Sequence, residues 1–80
     1  MKIKFIEEIE LEILTQNEHT DTFSSKTFLV NDELAVDVVQ LNHAFNTAMI
    51  IFDNYRMIYG IPQSVFVVIW FEKYLICKKH

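Results

Sequence analysis

Three glutamates at alternate positions, Glu8, Glu10 and Glu12, are the first side chains whose type and spacing could do chemistry. On an extended chain alternate residues share a face, so these carboxylates would stand in a row about 7 Å apart. Such a row can grip a basic partner or imitate the phosphate spacing of a nucleic acid. It can equally be a solvated strand face whose charge discourages edge-to-edge aggregation. Lys2 and Lys4 fall on the same face and reduce the local negative field. A second acidic group, Asp32, Glu33 and Asp37, falls where a helix could begin, and the partial positive charge of a helix start favours carboxylates there. Glu8, Glu10, Glu12, Asp32 and Glu33 are therefore the candidate partner-binding residues.

The other reactive side chains assemble into nothing recognisable. Cys77 and His80 have a C-x2-H spacing, at most half of a zinc site, since closed zinc sites use four ligands. His19 and His43 would have to converge on them from a loop and a helix, so no metal is expected. A buried structural cysteine is the simpler expectation for Cys77. Asp53, Tyr55, Arg56 and Tyr59 could line one helix edge and grip a partner. Tyr55 and Tyr59 also fit core packing with their hydroxyls at the rim. The lone glycine excludes the glycine-rich phosphate loops, and neither G-x-S-x-G nor H-E-x-x-H occurs. Ser24 and Ser25 have no evident base. Carboxylates on an open strand lack the burial that raises a catalytic pKa. No enzyme and no cofactor is expected.

These residues need elements to hold them. Ile3, Phe5, Ile9, Leu11 and Ile13 alternate with Lys2, Lys4, Glu8, Glu10 and Glu12, the period of a strand over residues 2–14. Ile6 and Glu7 break the pattern and suggest a bulge. Residues 15–22 read as a loop and 23–30 as a second, antiparallel strand. Asn31-Asp32 can cap a helix or turn the chain into a third strand over 33–40, which Val36, Val38 and Val39 would favour. Leu34, Val38, Leu41, Phe45, Ala48, Phe52, Tyr55 and Tyr59 recur at helical spacings, and this stripe predicts one long helix over about 32–59. Gly60 and Pro62 fit its end. Residues 65–71, apolar throughout, read as a strand buried within a sheet, with Trp70 in a core or dimer interface. A short last strand over 74–77 can follow. The expected fold is a single α+β domain, β-β-α-β with a possible fourth strand, the helix across one face of an antiparallel sheet.

Composition sets the function classes. Eighty residues make one domain, and at this size only about 60% of the unfolded surface becomes hidden on folding. A single cysteine rules out an intrachain disulfide and fits a reducing compartment. Hydrophobic residues make up 51%, more than so small a core readily absorbs, which points to an interface and a homodimer. A net charge of −4 argues against nucleic acid or an anionic membrane as partner, since both need a basic face. The start of the chain lacks a signal-peptide pattern, and the apolar run over 65–71 is too short to span a bilayer as a helix, so a cytoplasmic protein is expected. The expected function is a small acidic protein that inhibits or sequesters a partner with a basic surface, in the manner of an immunity protein, an antitoxin or a phage-encoded anti-defence inhibitor. The abundance of Ile, Lys, Asn and Phe is compatible with the AT-rich genome of a phage or mobile element. The alternatives are a dimeric small-molecule or nucleotide-binding module, with a pocket between protomers, and a structural subunit of a larger assembly.

Overall fold

The computed structural model describes residues 1–53 and 55–70, Trp70 by its backbone alone. Among the described residues eight strands follow one another: β1 (Lys2–Phe5), β2 (Ile9–Gln16), β3 (Asp21–Phe28), β4 (Glu33–Ala35), β5 (Val38–Asn42), β6 (Thr47–Phe52), β7 (Arg56–Pro62) and β8 (Phe66–Trp70). A single 3-10 turn (Gln63–Val65) separates β7 from β8, and no other helical element occurs among the described residues. The strands form two antiparallel sheets, three-stranded in the order β4-β1-β8 and five-stranded in the order β3-β2-β7-β6-β5.

The alternation over residues 2–14 is real, but it spans two strands in different sheets. Ile3, Phe5, Leu11 and Ile13 are all buried, so the inward phase survives the break at residues 6–8. There the chain leaves one sheet for the other, and Ile6 N–H donates to the carbonyl of Val65 (2.8 Å). The expected hairpin of residues 2–14 with 23–30 is the β2–β3 hairpin, paired from Ile9–Phe28 to Gln16–Asp21.

The long helix over 32–59 and the α+β class it implied are overturned: this stretch folds as β4, β5, β6 and the start of β7. The stripe is a coincidence of spacing. Ala48 and Phe52 are buried, Leu34 is half-buried, and Val38, Leu41, Phe45, Tyr55 and Tyr59 are exposed. No helix face would sort them so. What interrupts the chain are Asn31, Asn46 and Asp53, all with positive φ (75°, 54° and 58°). Asn and Asp tolerate this left-handed region better than other residues with side chains, and each marks a turn. At Leu29–Asp32 the turn is closed from both ends. Asp32 N–H donates to the Leu29 carbonyl (3.0 Å), and Leu29 N–H donates to Asp32 Oδ2 (2.8 Å). The alternative of a third strand over 33–40 is nearer the outcome, split between β4 and β5.

Gly60 does have positive φ (67°), but inside a strand. The β6–β7 ladder shifts between Ala48–Ile61 and Ile50–Ile58, so Tyr59 and Gly60 together oppose Met49 in a β-bulge. The bulge lets β7 curve and end at Pro62, opposite Thr47. Gln63 secures that corner, donating from Nε2 to the Thr47 carbonyl (2.8 Å).

The core lies between the sheets. Ile3 and Phe5 from β1 meet Leu11, Ile13, Ala48, Ile50, Phe52, Ile58 and Ile61 from the five-stranded sheet. Phe5 and Phe28 stack across the gap, ring centroids 4.4 Å apart. Two passages weld the sheets. Val36 N–H donates to the Met1 carbonyl while the adjacent Asp37 N–H donates to the Ile51 carbonyl, both at 2.8 Å. Within these two residues the chain passes from β4 in one sheet to β5 in the other. The 3-10 turn does this between β7 and β8. Strand β8 pairs with β1, its one neighbour among the described residues. Phe66 is buried and Val68 half-buried, whereas Val67 and Ile69 are exposed. The expected strand over 74–77 lies outside the described residues.

Candidate docking surface

The five-stranded sheet has an outer face turned away from the core, and strand register decides which side chains it carries. Directly paired residues of antiparallel strands point to the same side. On β2 the buried Leu11 and Ile13 point inward, so Glu10, Glu12, Leu14 and Gln16 point outward. Opposite them on β3 stand Thr27, Ser25, Phe23 and Asp21. Glu10 and Glu12 are exposed and lie two positions apart on this open face. Glu8 is exposed in the link before β2.

Asp32 and Glu33 are held elsewhere. The Asp32 carboxylate closes the Leu29–Asp32 turn, and Glu33 on β4 lies 3.5 Å from Lys2 Nζ in the three-stranded sheet. Glu33 thus belongs to a different sheet from Glu10 and Glu12. Lys2 and Lys4, expected beside the glutamate row, are separated from it, because β1 and β2 lie in different sheets.

The remaining described cations also avoid the outer face. Lys26 lies opposite the buried Leu11, on the inward side, with its ammonium 5.2 Å from the Phe28 ring centre. Arg56 is paired with Phe52, its guanidinium 4.8 Å from that ring, and its Nε donates to Asp53 Oδ2 (2.8 Å). Within the five-stranded sheet, strand phase separates Glu10 and Glu12 from Lys26 and Arg56. Sequence reasoning missed this because it needs the register of three strand pairs.

Further along the same sheet, the bulge at Gly60 leaves a shallow depression of ≈ 360 Å³ lined by Gln40, Leu41, His43, Thr47, Met49 and Tyr59, among others. A Cβ on Gly60 would meet nothing within 4 Å. His19 and His43 are both exposed, in the β2–β3 loop and the β5–β6 turn. Among the described residues no group of three potential metal ligands converges. Cys77 and His80 lie outside the described residues, as does the Trp70 side chain. No helix among the described residues is long and apolar enough to cross a membrane.

Set against protein-family models, curated proteins and solved structures, the chain matches none of them. The functional reading therefore rests on geometry and charge.

Proposed function

We propose that this protein is a non-enzymatic binding protein that inhibits or sequesters a macromolecular partner with a basic surface. One observation carries the reading: Glu10 and Glu12 stand together on an open sheet face from which every described cation is turned away. Like charges concentrated on one face raise the rate and selectivity of encounter with an opposite surface more than they raise affinity itself. The row formed by Glu8, Glu10 and Glu12 is the primary contact. Asp32, in the Leu29–Asp32 turn, and Glu33, on β4, form a second patch. Homodimerisation through the three-stranded sheet belongs to the same reading, supported by the exposed Val67 and Ile69 of β8.

The test is affinity capture by the immobilised protein, comparing wild type with E8K/E10K/E12K at low and moderate salt. Capture of a basic protein by wild type, weakened more than about tenfold in the variant and by added salt, is expected. Equal capture by both would reject the acidic face as the site.

A second reading has its own observation, the depression beside Gly60. An aromatic wall from Tyr59 and polar groups from Gln40 and His43 would suit a small planar ligand. That reading requires a rise in melting temperature when such a ligand is added.

A further inference from the structure

The outer face of the five-stranded sheet carries more than charge. Reading straight across its strands, Val38 pairs with Ile51, Ile51 with Met57, Met57 with Leu14 and Leu14 with Phe23. One apolar side chain from each of five strands thus forms an unbroken row, about 19 Å long at ordinary strand spacing. Their neighbours in sequence, Ile50, Ile58 and Ile13, fill the core, so this row lies on the opposite side. Leu14 confirms the geometry. It is only 8% exposed yet belongs to no part of the core between the sheets, because Met57 and Phe23 flank it on the outer face. Phe23, by contrast, is 67% exposed at one end of the row, and Val38 is 42% exposed at the other.

A sheet face meant only for water carries polar side chains at such positions. A continuous apolar row instead marks a contact surface. Charge selects its occupant. Beside the row lie the outward pairs Glu12–Ser25 and Glu10–Thr27, and on its other flank Gln16–Asp21. A second copy laid face to face would enclose carboxylates from both chains with no described cation to meet them, which is costly in a desolvated contact. A basic partner with its own apolar strip satisfies both parts of the surface.

We infer that this face docks a basic amphipathic segment of a partner protein. Its apolar side chains lie along Val38, Ile51, Met57, Leu14 and Phe23, and its lysines or arginines meet Glu10 and Glu12. The inference rests on the basic-partner reading above and adds to it the apolar half of the recognition.

Calorimetric titration with two synthetic probes of equal charge separates the two parts. One probe is an amphipathic Lys/Leu peptide with its leucines on one helical face; in the other every leucine is replaced by serine. The Lys/Leu peptide is expected to bind about tenfold tighter or better. Phe23→Ser and Val38→Ser, at the exposed ends of the row, should each weaken it several-fold and leave the Lys/Ser peptide unchanged. E10K/E12K should weaken both peptides. Phe45→Ser, in the β5–β6 turn, serves as an exposed aromatic control and should alter neither. If charge reversal weakens binding but the row variants do not, this inference falls while the basic-partner reading stands. If neither set has an effect, both fall. A wild type that sediments as a dimer and becomes monomeric with Phe23→Ser would assign the row to a second copy and overturn the inference.

Discussion

Gly60 sits at φ 67° with open space where a side chain would begin, so substitution there tests backbone conformation without a clash. Gly60→Ala is expected to destabilise the fold by about 1–2 kcal/mol, the usual penalty of a left-handed alanine, measured as a shift in the urea midpoint. Ile50 and Ile58 are fully buried between the sheets, which makes them sensitive to volume instead. Ile50→Val should remove about 1 kcal/mol, and Ile58→Ala about 2–5 kcal/mol. Total stability for a domain of this size is on the order of 4–12 kcal/mol, so Ile58→Ala can leave much of the population unfolded. Much of this scale is legible in sequence. Ile3, Phe5, Leu11 and Ile13 are core residues by alternation alone, and Gly60 stands out as the chain's single glycine, the residue that takes positive φ at least steric cost. Leu14 is not legible. Alternation sends it to the face opposite Ile13, and only the pairings with Met57 and Phe23 show why it is buried there.

Turns at the element scale are set by short polar residues, and strands by what they pair with. The β2–β3 connection is an exposed loop of residues 17–20, closed by Asn17 N–H donating to the Thr20 carbonyl (3.0 Å). A four-residue Gly/Ser insertion between Glu18 and His19 should lower stability by less than about 1 kcal/mol, since closing a longer loop adds entropy cost only logarithmically. Thermal melting of that variant beside wild type is the check. Residues 32–59 are where sequence reading fails, and the reason is local. Apolar residues at spacings of three and four arise from a helix, and also from short strands separated by turns of the right length. Alternation within Thr47–Phe52, with Ala48, Ile50 and Phe52 buried, is the better signal, and Asn46 and Asp53 at its two ends are turn formers. Far-UV circular dichroism is expected to show a strand spectrum without the helical double minimum. A helical spectrum would reject the fold.

At the scale of the molecule, the N-terminal strand is the keystone of the smaller sheet. Strand β1 lies between β4 and β8, and its Ile3 and Phe5 are fully buried. Deleting residues 1–5 should therefore abolish cooperative unfolding altogether, rather than trim one edge, and a denaturant titration would show it. The two outer faces differ in kind. The three-stranded sheet presents Val67 and Ile69 together with Lys2 and Lys4, whereas the five-stranded sheet presents an apolar row and carboxylates. If dimerisation uses the former, Ile69→Lys should shift the protein from dimer to monomer in sedimentation equilibrium and leave peptide binding at the latter unchanged.

The sequence by itself determined the inward phase of the first strands, the antiparallel β2–β3 hairpin, the glutamates at alternating positions and the excess of apolar residues over what one small core can bury. Each is a property of neighbours within a few residues, where the geometry of an extended chain leaves little choice. Tertiary structure alone decided the rest. It turned a helical spacing into strands, sent β1 and β2 to different sheets, and moved Lys2 and Lys4 away from Glu10 and Glu12. It also aligned Val38, Ile51, Met57, Leu14 and Phe23 into one row, from positions scattered over the chain. Register is the physical reason: a shift of one residue in any pairing sends that strand's side chains to the opposite face, and register is settled only when the whole core closes.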